Sequence, residues 1–332
     1  MNISAIDLGF LYTKAIINGK RIIMKSVVGN SKTQRFNDLD FGLKDTDNLQ
    51  TRLGTNNYFV SDLAIDQSDV ILHSLKDDRF SSEATGVLIN TAMGLGFGSD
   101  AVTTHVVSGL PVSHYSIYRE DIKNLFLSKI HNFEVHDSGR LIRGSAKVEK
   151  SIFLPQPFGA LIDRVMDDKG NVADKELSSK VVAVIDPGFG TSDVYVTDAL
   201  SPVERLTFST KTAMNRAYSL ISDKLEENFE VILPLYAIEK IVRKGEFRKN
   251  GKTYDMSSVI NWAFQATAQQ LLSEITNKWK NTYEIDSILL AGGGGKALSP
   301  YLLKEFPNIE LLNNSQWSIV SGYYKWGVKN FA

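Results

Sequence analysis

Two short stretches of this chain have nearly the same sequence, and each carries an aspartate two residues before a glycine. The first contains Asp7 and Gly9, and the second contains Asp186 and Gly188. In both, an apolar run predicts a buried strand that turns into a second apolar run, so each stretch predicts a β-hairpin with a carboxylate at its tip. Glycine lets backbone N–H groups approach an anion closely, and a nearby carboxylate can hold the waters of Mg²⁺. Two such hairpins facing each other would clamp the phosphate tail of a nucleotide.

A run of four glycines at 292–295 offers a second kind of ligand contact. It follows the apolar run 288–291, which predicts a buried strand, and it precedes a predicted helix. Such a loop permits close approach by a flat ring or a phosphate, and the N-terminus of the following helix adds partial positive charge. The run lacks the Lys-Ser/Thr ending of a P-loop and the spacing of a dinucleotide fingerprint. A flexible turn explains a glycine run alone equally well.

Length and composition limit the class of protein. A chain of 332 residues exceeds the usual limit of about 250–300 residues for one hydrophobic core, and this predicts two domains. There is no cysteine, and the five histidines form no close pair, so structural zinc and disulfides are not expected. The formal net charge of −1 gives no global basic signature for nucleic-acid binding. With no apolar run long enough for a bilayer and no leader pattern, we expect a cytoplasmic protein without membrane association.

Apolar periodicity and turn residues predict the order of the elements. The chain opens as a three-stranded meander whose last two strands are joined by Asn18-Gly19, a strong hairpin signal. The polar stretch 31–68 predicts a small peripheral subdomain, and the proline-flanked segment 154–157 predicts a hinge. Further strands are predicted over 101–110, 147–153, 287–291 and 309–312, and in the second hairpin copy from 181. Helices are predicted over 83–95, 116–130, 158–165, 213–228, 235–243, 258–283 and 300–305, and from 316 onward.

Taken in order, these motifs resemble those of the actin superfamily of ATPases, which also includes heat-shock chaperones and sugar kinases. Residues 7–14 resemble its first phosphate motif, 154–157 its first interdomain connection, 186–193 its second phosphate motif and 290–294 its adenosine motif. Within the superfamily, the chain is most similar to bacterial actin-like proteins of the ParM plasmid-segregation type. The Gly-Leu-Pro strand end in 106–112, and Asn313-Asn314-Ser315-Gln316 followed by Gly322-Tyr323-Tyr324 and Gly327, carry this closer resemblance.

The resemblance implies an α/β, actin-like (ribonuclease H-like) two-domain ATPase fold. It implies duplicated mixed sheets with flanking helices and a nucleotide cleft between the domains. Domain I would comprise 1–157 and 316–332, with a small subdomain at about 31–68. Domain II would comprise 158–315, with a small subdomain at about 220–265.

The resemblance also implies the roles of site residues. Asp7 and Asp186 would hold Mg²⁺ through water, and Gln156 would position the water that attacks ATP; a turn-capping role for the aspartates and an exposed loop position for Gln156 are the structural alternatives. Contacts with ATP or ADP are implied for Gly9, Thr13, Lys14, Gly188, Phe189, Gly190, Thr191, Ser192, Glu239, Lys240, Arg243, Gly292, Gly293 and Gly294. Lys14 could equally project from a strand, and only one of Thr191 and Ser192 need bind phosphate. A solvated charged helix face would explain Glu239, Lys240 and Arg243 as well.

Three residues, in two motifs, depart from the family pattern. Where relatives have Gly, Ser or Thr and then a small polar residue, the first phosphate turn has Leu11 and Tyr12, which do not adopt left-handed angles cheaply. Pro187 makes the second motif less flexible than usual. We therefore expect the geometry of the first turn, and with it the rate of hydrolysis, to differ from that of relatives.

The function that the resemblance implies is a filament-forming ATPase. Its partners would be further copies of itself and a DNA-binding adaptor that links filaments to plasmid or other replicon DNA, without direct contact between the chain and nucleic acid. A bacterial actin that organises an organelle or cell shape is one alternative. A monomeric phosphotransferase like the sugar kinases is another, although no motif marks an acceptor pocket. A chaperone is disfavoured because no peptide-binding domain follows.

Overall fold

The computed structural model describes residues 1–31, 48–72, 82–128, 130–280, 284–306 and 308–331. The predicted subdomain 31–68 and the predicted helix 258–283 therefore lie partly outside the described residues. Among the residues described, every helix is too short or too polar to cross a lipid bilayer.

The N-terminal half of the chain forms a mixed sheet of nine strands in its described residues. The strands are β1 (Asn2–Leu8), β2 (Tyr12–Ile17), β3 (Lys20–Lys25), β4 (Val28–Asn30), β5 (Leu49–Leu53), β6 (Asn56–Val60), β7 (Ala101–Leu110), β8 (Ile130–Asp137) and β9 (Arg140–Pro155). Their order across the sheet is β3-β2-β1-β7-β9-β8-β5-β6-β4. β1 lies between β2 and β7, antiparallel to β2 and parallel to β7. Its residues after Asn2 are buried, as expected for a strand covered on both faces.

The C-terminal half repeats this arrangement in a second, smaller sheet. Its strands are β10 (Val181–Pro187), β11 (Ser192–Asp198), β12 (Ser201–Pro202), β13 (Phe208–Thr210), β16 (Ser287–Leu290) and β17 (Ile309–Leu311), and a separate hairpin joins β14 (Glu246–Lys249) to β15 (Lys252–Asp255). β10 pairs antiparallel with β11 and parallel with β16, as β1 does with β2 and β7. The duplicated mixed sheet follows from the duplicated strand–turn–strand sequence.

The helices cover both sheets and the space between them. They are α1 (Asp62–Gln67), α2 (Glu83–Phe97), α3 (Tyr115–Leu127), α4 (Gln156–Val165), α5 (Lys175–Ser178), α6 (Met214–Phe229), α7 (Leu235–Lys244), α8 (Ser257–Lys278), α9 (Gly292–Leu302) and α10 (Ser315–Phe331). α4 starts where the first sheet ends, and α10 returns at the C-terminus to pack against α4 and β1. Small residues allow this close crossing, since a Cβ at Gly322 would lie 1.7 Å from the Gly159 carbonyl oxygen.

One buried cluster joins the two sheets through this helix pair. It contains Ala5 and Val107 from the first sheet, Val182 and Val184 from the second, and Leu161 and Val320 from α4 and α10. The remaining large clusters each lie mainly within one half of the chain. This organisation is compatible with the predicted domain boundaries near 157 and 315, which stay a prediction.

The helix predicted from 300 begins earlier than expected. α9 starts within the glycine run at Gly292, and Pro300 lies inside the helix. Proline has no N–H for the carbonyl of Lys296, and the Ser299 hydroxyl donates a hydrogen bond to that oxygen at 2.9 Å instead. The glycines are therefore the first turn of a helix and not a loop before it.

A long hairpin was also missed. The pattern predicts a helix to 130 and a strand from 147, whereas α3 ends at Leu127 and β8 and β9 form a hairpin closed by Ser138-Gly139. Both turn residues have positive φ, at 48° and 87°, and this suits a tight hairpin turn. β5 then pairs with β8, so the described strands of the predicted subdomain 31–68 continue the first sheet.

Candidate functional site

A cavity of about 700 Å³ lies between the two repeated hairpins, within the size range of small-molecule sites. Residues of the β1–β2 turn and of the β10–β11 turn line it, together with residues of α4, α6, α7, α8, α9 and α10. The two turns have the same shape. A Cβ at Gly9 would meet the Tyr12 carbonyl oxygen at 2.5 Å, and one at Gly188 would meet the Thr191 carbonyl oxygen at 2.7 Å. Glycine is thus required where each turn folds back on itself.

The first turn forms without the left-handed angles that Leu11 and Tyr12 would resist. Neither residue has a positive φ. The Leu11 carbonyl accepts a hydrogen bond from the Ser26 N–H at 2.9 Å, and the Ser26 hydroxyl donates to the Gly9 carbonyl at 2.7 Å. The first turn is therefore braced by the loop after β3, and its bulky residues do not change its match to the second turn.

Asp7 lies at the bottom of the cavity with two partners. Its Oδ1 accepts a hydrogen bond from Gln156 Nε2 at 3.0 Å, and its Oδ2 lies 3.5 Å from Lys14 Nζ. Lys14 is the residue paired with Asp7 across the β1–β2 hairpin. Gln156 is the first residue of α4 and is only 8% exposed, so the connection between the sheets places its amide on the carboxylate.

Asp186 occupies the matching position in the second hairpin, but its cross-strand partner is a second carboxylate. Asp193 pairs with Asp186 in the register of β10 and β11, and both are buried. Asp193 Oδ1 accepts hydrogen bonds from the Ser209 hydroxyl and, at 3.3 Å, from the Val112 N–H. Burial and the charge of Asp193 raise the pKa of Asp186 to about 7, with Lys14 opposing the shift and Asp7 adding to it.

The balance of charge at this site fits a bound cation. Three buried carboxylates, Asp7, Asp186 and Asp193, lie near one lysine, and burial together with the charge of Asp193 raises the pKa of Asp186. In the part of the chain that the structure describes, no group of three or more His, Cys, Asp or Glu side chains could ligate a metal ion directly. Carboxylate oxygens are ligands that a hydrated divalent ion such as Mg²⁺ takes, directly or through its waters.

The glycines of α9 bring the helix against the second hairpin. A Cβ at Gly292 would lie 2.2 Å from Asp186 Oδ1, and one at Gly294 would lie 1.9 Å from the Pro187 carbonyl oxygen. Gly292 also has a φ of +76°. Gly293, by contrast, is exposed, and nothing lies within 4 Å of its added Cβ. Two glycines thus serve packing, and Gly293 faces open space at the N-terminus of α9.

Part of the cavity lining is apolar. Met214 and Tyr218 of α6, Val242 of α7 and Phe264 of α8 line it, and the Phe189 ring meets the Tyr218 ring edge-on at 5.2 Å between centroids. Flat apolar surfaces of this kind suit an aromatic ring. The cavity lining therefore combines charged side chains, among them those of the hairpins, with apolar side chains of α6, α7 and α8.

Most of the site residues predicted from the sequence line this cavity. They are Asp7, Gly9, Lys14, Gln156, Asp186, Gly188, Phe189, Thr191, Glu239, Arg243, Gly292, Gly293 and Gly294.

Four predicted residues lie elsewhere. The hydroxyls of Thr13 and Ser192 are buried away from the cavity, and they bond Ser26 Oγ at 2.9 Å and the Thr212 carbonyl at 2.6 Å. Gly190 packs against the Phe10 ring, which a Cβ there would approach to 2.6 Å. Lys240 is exposed on α7 and does not line the cavity. The structure thus gives Thr13, Gly190 and Ser192 packing roles.

Several lining residues had no role in the prediction. Asp193 could have been found, because it falls opposite Asp186 when the hairpin is drawn in register. Tyr12 lines the cavity and donates a hydrogen bond to Glu239, and Lys296 and Gln316 line it from α9 and α10. Tyr12 falls within the motif 7–14 and Gln316 within the stretch 313–316, but neither had been given a contact role, and no motif marks Lys296.

Two family models match the chain. Residues 5–159 match a model described as the N-terminal domain of actin-like proteins. Residues 184–304 match a model described as the C-terminal domain of the MreB-like archaeal actin homologue. No curated protein sequence matches the chain significantly.

Solved structures of low sequence identity share the whole fold. A 15-stranded ParM filament from Clostridium botulinum is 22% identical, with a TM-score of 0.82 over 98% of both chains. Ta0583, an archaeal actin homologue, is 19% identical, with a TM-score of 0.81 over 98% of both chains. Its complex with ADP gives a TM-score of 0.80 at 19% identity, over 98% of this chain and 99% of that one.

Proposed function

This chain belongs to the actin-like proteins and has their two-domain α/β fold, and on that premise we propose that it binds ATP–Mg²⁺ between its two sheets, hydrolyses it and polymerises. The observation that carries the proposal is the pair of matching hairpins, which place both Asp7 and Asp186 in the lining of one cavity. The archaeal homologue solved with ADP has the same fold.

The mixed lining of the cavity suits the two parts of a nucleotide. Backbone N–H groups of the β1–β2 and β10–β11 turns, together with Lys14, would hold the phosphates. The apolar side chains of Tyr218, Val242 and Phe264 would hold the base. Gly293, exposed at the start of α9, leaves room for the ligand between them.

Hydrolysis would depend on the carboxylates and on Gln156. Bound Mg²⁺ would neutralise phosphate charge during transfer, and Asp7 and Asp186 would hold it through its waters. Gln156 donates a hydrogen bond from its amide N–H to Asp7, and this fixes the orientation of its side chain. The carbonyl oxygen of the same amide can then accept a hydrogen bond from the attacking water and align it. This positioning needs no shifted pKa on Gln156.

The proposal also covers filament formation and the cargo of the filament. A ParM filament is among the structures that share the fold, and head-to-tail contacts that do not close produce a filament. We propose that nucleotide state changes the angle between the two halves and so the fit between subunits. A cytoplasmic role in segregating replicon DNA, through a DNA-binding adaptor, accords with a net charge of −1.

Phosphate release from ATP tests the site. We expect Mg²⁺-dependent release by the native chain and its loss in Asp186→Ala. The matched control is Asp198→Ala, because Asp198 lies exposed at the other end of β11 and should keep full activity. Equal activity in all three proteins would overturn the assignment of Asp186. Release that appears only with an added sugar or other acceptor would replace hydrolysis by phosphotransfer.

A further inference from the structure

A single carboxylate of α7 is held by two residues of the other half of the chain. Glu239 Oε1 accepts a hydrogen bond from the Tyr12 hydroxyl at 2.8 Å, and Glu239 Oε2 lies 3.1 Å from Lys25 Nζ. Tyr12 belongs to β2 and Lys25 to β3, both in the first sheet. Both oxygens of Glu239 are thus engaged across the cleft.

The contacts form a buried network and not a surface ion pair. Glu239 is 6% exposed and Lys25 is 8% exposed. Lys25 Nζ also bonds Asp62 Oδ1 of α1 at 2.8 Å, so the lysine joins two carboxylates from different halves. Burial lowers the pKa of Lys25, but the hydrogen bond to Asp62 and the charge of Glu239 outweigh it and raise the pKa, which keeps the lysine charged.

The network lies at the rim of the nucleotide cavity. Tyr12 and Glu239 both line the cavity, and Arg243 lies one helical turn along α7 with Nε 3.9 Å from Glu239 Oε1. Beside the polar contacts, Tyr236 of α7 packs against an apolar cluster of the first half. That cluster consists of Val27, Phe59, Leu63 and Ala64. Any movement that separates α7 from β2 and β3 must break both the polar and the apolar contacts.

We propose that Tyr12, Lys25 and Glu239 form a latch that holds the cleft closed and sets the rate at which nucleotide is exchanged. The inference rests on the proposed nucleotide site, since the latch controls entry to that cavity. The side chains of Tyr12, Lys25 and Glu239 are not among the groups proposed to hold the phosphates. The latch therefore affects the rate of nucleotide release more than the phosphate contacts.

The first test is the dissociation rate of a fluorescent ADP analogue, chased with unlabelled ADP. Tyr12→Phe removes only the hydroxyl, and we expect it to speed dissociation about tenfold, as for loss of one hydrogen bond to a charged group. Glu239→Gln should change the rate in the same direction. The matched control is Tyr58→Phe, which removes a hydroxyl bonded to Glu83 within the first half, away from the cavity, and should leave the rate unchanged.

The second test does not need nucleotide. The chain has no cysteine, so cysteines at the exposed positions Asn57 and Lys244 can carry spin labels on the two halves without background. We expect one narrow label-to-label distance with Tyr12 native and a broader, longer distribution in Tyr12→Phe. Identical distances and dissociation rates in Tyr12→Phe and Tyr58→Phe would overturn the latch. Absence of nucleotide binding in every variant would overturn the proposed function. The label-to-label distances would still test whether Tyr12 holds the two halves together.

Discussion

Replacing Asp186 by asparagine should stabilise the nucleotide-free fold while it abolishes hydrolysis. Burial and the neighbouring Asp193 raise the pKa of Asp186 from 3.8 to about 7. At about 1.4 kcal/mol for each pKa unit, ionising this carboxyl above pH 7 costs the folded chain about 4 kcal/mol relative to the unfolded chain. Asparagine has nearly the same shape and no charge, so it avoids that cost.

The sign of the pH dependence follows from the raised pKa. The folded state binds the Asp186 proton more tightly than the unfolded state does. The contribution of this carboxyl to the unfolding free energy is therefore fully present below about pH 4 and is lost as the pH rises to about 7. Asp186→Asn has no such loss. The difference in unfolding free energy between the two proteins should therefore be near zero at pH 4 and reach about 4 kcal/mol at pH 8.

Urea denaturation followed by tryptophan fluorescence, with EDTA and without nucleotide, measures this difference. Asp198→Asn is the control, because Asp198 is exposed on the same hairpin and should follow the native curve. If Asp186→Asn were less stable than the native chain at pH 8, or if both lost stability equally between pH 4 and 8, the charge argument for the site would be refuted.

Three further substitutions test single contacts. Gly292→Ala should lower the unfolding free energy by about 1–3 kcal/mol, because of its positive φ and the contact with Asp186, whereas Gly293→Ala should not; equal urea midpoints would contradict this. Tyr323→Phe should raise the unfolding free energy by about 1 kcal/mol, since its buried hydroxyl has no partner among the described residues; a lower urea midpoint would show an unseen partner. Gln156→Ala should slow phosphate release about 100-fold with ADP affinity unchanged, and a parallel loss of affinity would show a binding role instead.

The hairpin part of the site was predictable because it depends on local sequence. The apolar runs before Asp7 and Asp186 specify buried strands, and strand β7 begins and ends at the predicted residues 101 and 110. The hairpins therefore present their aspartates where the sequence indicates. The alternation of side chains along a strand also fixes that Thr13, between Tyr12 and Lys14, points away from the cavity. The prediction that Thr13 contacts nucleotide did not use this alternation.

Other features depend on contacts that no local pattern carries. The start of α9 inside four glycines is set by its close packing on Asp186 and Pro187, which overrides the low helix propensity of glycine. The bond between Tyr12 and Glu239 joins residues far apart in sequence, and it exists only once the two sheets have closed. The latch, unlike the hairpins, was therefore not visible before the fold was known.

Nucleotide-dependent assembly is the central claim, and right-angle light scattering measures it most directly. The purified chain is mixed with ATP–Mg²⁺, ADP–Mg²⁺ or GTP–Mg²⁺, and the products are viewed by electron microscopy. We expect filaments that require a nucleoside triphosphate and are absent in Asp186→Ala. A chain that binds nucleotide but forms no polymer over a wide range of protein concentration and salt would contradict the account.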